Sequence, residues 1–173
     1  MITKLGSRAL LGAVALCGAT AAHAISYNFT VQDSDIRVGD TFDVAFTATY
    51  GELDELIYFA FDVDPLDTLS SNRVVSFDGW SVPSPILPGA TFGPREVAGD
   101  GDFFDPLMGG TDLLLATLKF SALSVGTEMV AVQGLLNDFQ GIETFDAAAD
   151  ISSRFEVQVS RVPDPSLYGA LPV

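Results

Sequence analysis

Four runs along the chain alternate apolar and polar residues. In the first, Phe42, Val44, Phe46 and Ala48 alternate with Asp43, Ala45, Thr47 and Thr49. In the second, Ile57, Phe59, Phe61 and Val63 alternate with Tyr58, Ala60 and Asp62. In the third, Leu114, Ala116, Leu118 and Phe120 alternate with Leu115, Thr117, Lys119 and Ser121; in the fourth, Phe155, Val157 and Val159 alternate with Glu156, Gln158 and Ser160. A period of two sends successive side chains to opposite faces, so each run predicts a half-buried strand of an antiparallel sheet. Ser26–Val31, Val74–Phe77 and Glu128–Val132 are shorter candidates. Turn clusters separate them: Val38-Gly39-Asp40, Tyr50-Gly51, Phe77-Asp78-Gly79, Pro83 to Gly89, and Val125-Gly126-Thr127. No segment sustains a 3.6-residue period or a heptad, and no longer repeat is evident. Short strands punctuated by Gly, Asp and Pro predict an all-β fold, an antiparallel two-sheet sandwich.

Two stretches break the pattern. Ser81 to Gly110 holds Pro83, Pro85, Pro88, Pro94 and Pro106 with several glycines, which predicts a long loop. Asn137 to Ile151 is polar and Ala-rich and predicts a short helical turn.

The N-terminus is of a different kind. Lys4 and Arg8 precede the small, apolar run Ala9 to Ala21, and Ala22-His23-Ala24 offers a small-x-small cleavage site. Residues 1–24 are therefore expected to be a secretory signal peptide, with a mature N-terminus at Ile25. The apolar run is shorter than the roughly 20 residues of a membrane span. Leu16 stands before Cys17 where a lipoprotein signal has a small residue, so lipidation is not expected. Cleavage removes the only Cys and the only His. Without thiol or imidazole the mature chain excludes Ser-His-Asp and Cys-His catalysis, Cys/His zinc sites and disulfides. Six basic residues then face 23 acidic ones, a net charge of −17. Nucleic acid and anionic membranes are repelled by such a surface, whereas calcium suits its carboxylates. What remains is one ordinary domain, residues 25–161, stabilised by its core and rich in Phe.

Few residues carry candidate chemistry. Asp100, Asp102 and Asp105 put three carboxylates on a Gly-flexible loop, a candidate structural calcium site, although the distal Glu of a full EF-hand loop is missing. Asp62, Asp64 and Asp67 form a second group, read as capping groups of a turn. Trp80, the one tryptophan, follows Asp78-Gly79 and precedes the Pro-rich loop; it is the candidate sugar platform, with packing against the domain as the competing role. Asn28-Phe29-Thr30 has the form of a glycosylation sequon but falls in a strand candidate. No nucleophile elbow, phosphate loop or dinucleotide fingerprint occurs. No catalytic residue is assigned and the chain is expected not to be an enzyme. A glycosidase, which needs only two carboxylates, is the alternative that composition leaves open.

Two resemblances add to this reading. Val162-Pro163-Asp164-Pro165-Ser166 resembles the sorting motif of bacterial PEP-CTERM proteins, with Asp164 in place of the usual Glu. That implies export and reading by an exosortase-type processing enzyme. The apolar span and Arg cluster of such tails do not follow, so residues 162–173 are expected to be a residual sorting tail without a stable membrane span. Within the domain, Val38-Gly39-Asp40-Thr41-Phe42, then Phe59 to Pro65 with Leu69, then Asp112 to Phe120 with Val125-Gly126-Thr127, are similar in order and spacing to cohesin-like domains of exported PEP-CTERM proteins. The resemblance implies a jelly-roll sandwich, shared with several carbohydrate-binding modules. It also implies a non-enzymatic protein of the cell envelope or extracellular matrix, contacting exopolysaccharide or another surface protein.

Overall fold

A computed structural model describes residues 24–64 and 73–162. The expected signal peptide up to His23, Asp67, and Pro163, Asp164, Pro165 and Ser166 of the expected tail lie outside the described residues.

The alternating runs form strands. In chain order these are β1 (Ser26–Val31), β2 (Ile36–Arg37), β3 (Thr41–Val63), β4 (Val75–Ser81), β5 (Leu87–Pro88), β6 (Glu96–Asp100), β7 (Met108–Ala122), β8 (Gly126–Gly134), β9 (Gly141–Thr144), β10 (Ala148–Ala149) and β11 (Ile151–Ser160). One sheet runs β1–β3–β7–β4. The other runs β5–β6–β3; beyond β3 it continues as β9–β10 beside Leu56 to Ala60, and as β8–β11–β2 beside Asp62 and Val63. The result is a jelly-roll-like β-sandwich. Its pairs are antiparallel except β2 with β11, which run parallel.

β3 belongs to both sheets. Its first half pairs with β1 and β7, its second with β6, β8 and β9. The Tyr50-Gly51 turn expected from sequence is thus a crossing within one strand of 23 residues. Between the sheets the phenylalanines meet. Phe29 and Phe46 stack at 4.8 Å, Phe46 meets Phe61 edge-on at 5.0 Å, and Phe155 of the opposite sheet lies 5.9 Å from Phe29. Phe59, Phe61, Leu118 and Phe120 all point inward, as the alternation predicts. Such ring pairs add about 0.5–1.5 kcal/mol each beyond the area they bury.

Several register shifts interrupt the ladders, and at three of them a single extra residue forms a β-bulge that can reverse which face follows. Leu56 and Tyr58 of β3 oppose consecutive residues of β9, which leaves Ile57 extra. Leu56 is buried and Ile57 turns outward, the reverse of the sequence-based phase. On β7, Thr47 and Phe46 face Leu114 and Ala116, so Leu115 is extra; Leu115 is buried and Leu114 exposed. On β4 the extra residue is Asp78, and Gly79 follows at φ +146°. Phe77-Asp78-Gly79 is therefore a bulge inside a strand rather than a turn, and it lets Phe77 and Trp80 both pack on the core.

The Pro- and Gly-rich stretch is not only loop. It contains β5 and β6, and Glu96, Val97, Ala98 and Gly99 are buried on both faces, which removes the alternation that would reveal a strand. The stretch expected to hold a helical turn opens within a 3₁₀ turn, Leu136–Asp138, and continues into β9, which buries Ile142.

Candidate functional site

β3 crosses between the sheets beside Asp54, whose carboxylate is buried at 2 % exposure. Burying a charge is costly unless hydrogen bonds replace its water. Here Oδ1 accepts from the Glu55 amide at 2.9 Å and the Asp146 amide at 3.1 Å, while Oδ2 accepts from the Thr144 hydroxyl. The Phe145 amide donates to the Glu55 carbonyl at 3.1 Å. The turn between β9 and β10 is so tied to β3, with the Phe145 ring directed to solvent. Tyr50 lies close by, its hydroxyl donating to the Leu107 carbonyl at 3.2 Å. Burial, with the Asp54 charge adding to it, pushes the Tyr50 phenol up to about 12.

On the other side of the Ile57 bulge the loop after β6 lies along β3. The Gly101 amide donates to the Ile57 carbonyl at 2.8 Å and the Leu56 amide to the Leu107 carbonyl at 3.2 Å. A Cβ at position 101 would stand 1.9 Å from the Leu56 carbonyl oxygen, so only glycine permits this approach. The loop is shaped by Asp102, whose Oδ1 accepts from the Phe104 amide at 2.9 Å. At its tip Phe103 and Phe104 are 85 % and 92 % exposed, with rings edge-to-face at 5.7 Å.

These elements enclose a cleft of about 100 Å³ lined by Ile57, Phe103, Pro106 and Phe145, with Glu55 and Asp102 among its walls. Single exposed apolar residues are ordinary, but a contiguous group rimmed by polar residues marks an interaction site. Sequence reasoning attended to the carboxylates of Asp100-Gly101-Asp102-Phe103-Phe104-Asp105 and passed over the two rings. An aromatic pair inside an Asp- and Gly-rich loop was the signal that could have found it. Phe145 and Ile57 become neighbours only through the fold.

The other candidate residues sit as follows. Asp100 ends β6 and is exposed, Asp102 serves the loop's own turn, and the Asp105 amide donates to the Asp102 carbonyl at 3.2 Å. Among the described residues no three Asp, Glu, His or Cys side chains are grouped so as to hold a metal ion. Asp62 accepts from the Gln140 side-chain amide at 3.1 Å, and buried Asp64 pairs with Arg95 at 2.7 Å, so the two do not act together. Trp80 lies on β4 in the other sheet, opposite Leu118 and half-buried against the core. Val162 is exposed beyond the end of β11. A wider concavity of about 400 Å³ lies beside β2, among Asp33, Asp35, Asp40 and Phe42. Two of its carboxylates have local partners: Asp40 accepts from the Arg37 amide at 2.9 Å, and Asp35 pairs with the Arg37 guanidinium, which holds its carboxyl below the usual range. No described helix is long and apolar enough to cross a membrane.

A scan against protein-family models finds no match, and neither does a search of curated proteins. Among solved structures, the chain is similar to the seventh ScaB type I cohesin from Pseudobacteroides cellulosolvens, at TM-score 0.47 and 10 % identity over 80 % of this chain and 95 % of that one. It is also similar to a chain of the Coh-OlpA-Doc918 type I cohesin–dockerin complex from Clostridium thermocellum, at TM-score 0.40 and 10 % identity over 78 % of this chain and 99 % of that one. Both likenesses are remote, and the fold class stands on the chain's own strand pairing.

Proposed function

We propose that this chain is an exported, non-catalytic binding domain that works at the cell envelope or in the extracellular matrix by contacting another surface protein. The observation that carries this reading is the group of exposed apolar residues Ile57, Phe103 and Phe145 lining a small cleft, with Phe104 beside Phe103 and the Phe145 turn tied to the buried Asp54 carboxylate. Exposed apolar residues gathered in one place and rimmed by carboxylates mark an interaction site. The basic and apolar leader and the Val-Pro-Asp-Pro-Ser tail support export. The test sets the purified domain against the envelope proteins of an exporting bacterium, a panel of polysaccharides, and a turnover assay on the same panel. Saturable binding to a protein, competed by unlabelled domain and lost in Phe103→Ser/Phe145→Ser, supports the reading. Binding to exopolysaccharide that disappears in Trp80→Ala would replace it with a carbohydrate-binding module, and polysaccharide turnover with a glycosidase.

Calcium enters this reading only through the same loop. It would have to draw Asp100, Asp102 and Asp105 together and take Asp102 Oδ1 from the Phe104 amide. A melting temperature raised more by calcium than by magnesium at equal ionic strength, with the difference lost in Asp100→Asn/Asp102→Asn, would support such a site. Equal responses would remove it.

A further inference from the structure

We infer that the cleft between Ile57, Phe103 and Phe145 receives a single apolar side chain of a partner protein, and that this side chain is flanked by Lys or Arg. The inference rests on the protein-binding reading above and specifies the chemistry of the partner.

Size sets the first limit. A cavity of roughly 150 Å³ holds a benzene ring. This cleft, at about 100 Å³, suits one branched aliphatic side chain or the leading edge of an aromatic one. Lining chemistry sets the second. Ile57, Phe103, Pro106 and Phe145 offer apolar surface, and the only polar side chains in the walls are the carboxylates of Glu55 and Asp102. Ionised carboxylates accept hydrogen bonds and donate none. A sugar ring presents hydroxyls that want both donors and acceptors, whereas an ammonium or guanidinium needs acceptors alone. Charge sets the third. Asp100 and Asp105 stand on the same loop, and the whole chain carries −15. An anionic polysaccharide or a second copy of this chain is repelled at long range, while a basic segment is steered in.

The test uses five-residue peptides with a central Leu, Phe or Ala between pairs of Lys or pairs of Glu. They are titrated into the isotopically labelled domain while backbone amide shifts are followed. The expected result is binding by the Lys-flanked Leu and Phe peptides, with shifts centred on Glu55–Ile57, Gly101–Pro106 and Phe145. Replacing the central residue with Ala should weaken binding at least about tenfold, as loss of a buried apolar side chain does. Glu-flanked peptides should not bind, and rising salt should weaken the interaction. Phe103→Ser/Phe145→Ser should lose binding with its melting temperature intact, since both rings are exposed. The inference is overturned if the Lys-flanked Ala peptide binds as well as Leu, if the shifts map elsewhere, or if no peptide binds. A protein partner that binds another face would overturn the inference and leave the protein-binding reading standing; polysaccharide turnover would end that reading itself.

Discussion

Asp54 shows how one buried carboxylate organises a surface. Its two oxygens take three donors from β3 and from the turn that presents Phe145. Asp54→Ala takes the acceptor from the Glu55 and Asp146 amides, while the Thr144 hydroxyl keeps the Ala147 carbonyl at 3.1 Å; a buried group left unsatisfied costs about 1–3 kcal/mol. Because they share one carboxylate the losses do not simply add. We expect a clear fall in melting temperature together with faster hydrogen exchange at Phe145 and Asp146. Asp54→Asn keeps one acceptor oxygen and should fall between. Unchanged exchange in Asp54→Ala would show that the turn is held by something else. Tyr50 gives a second handle at this scale. Its phenol titrates near 12 in the folded protein and near 10 when unfolded. Between those values the folded state holds the proton that the unfolded state has released. Its contribution to stability is thus complete below about pH 10 and is lost as pH rises towards 12. Tyr58 shifts the same way, through burial and then the Glu143 charge. Chemical denaturation from pH 8 to pH 11.5 should show falling stability, with a shallower fall in Tyr50→Phe.

Among elements, the bulges decide which residues the sequence reveals. Phe42 to Ala48 and Phe155 to Val159 were legible because no bulge interrupts the phase within either run. The second and third runs were legible only past their bulges, since an inserted residue leaves composition unchanged and reverses the faces. Leu115 and Leu114 test this directly. Leu115→Ala should cost about 2–5 kcal/mol, as truncation of a buried Leu does. Leu114→Ala should stay within about 0.5 kcal/mol, as exposed positions usually do. Denaturant midpoints that reversed this order would restore the uninterrupted alternation and remove the bulge. β6 was hidden for another reason: a five-residue strand buried on both faces, with Gly99 in it and prolines around it, has neither alternation nor β-branched density. The cleft depends on these hidden features. Ile57 reaches it because of the bulge on β3, and Phe103 because the loop after β6 lies against that bulge. Of the site's carboxylates only Asp102 was marked by the sequence; Asp54 and Glu55 were not, because their partners Thr144, Asp146 and Phe145 come near only through the fold.

For the whole molecule, a sandwich with a packed Phe core presents its apolar cleft on the sheet opposite the one that carries Trp80. Binding through the cleft and binding through the tryptophan are therefore separable in space. Site-specific photocrosslinking from the living cell surface distinguishes them. A photoreactive phenylalanine analogue is placed in turn at Phe103, at Trp80 and at Glu156, an exposed position on β11. The account predicts a discrete protein adduct from position 103 and none from 80 or 156. No adduct from 103, or the same adduct from all three, would contradict a partner protein docked at the cleft.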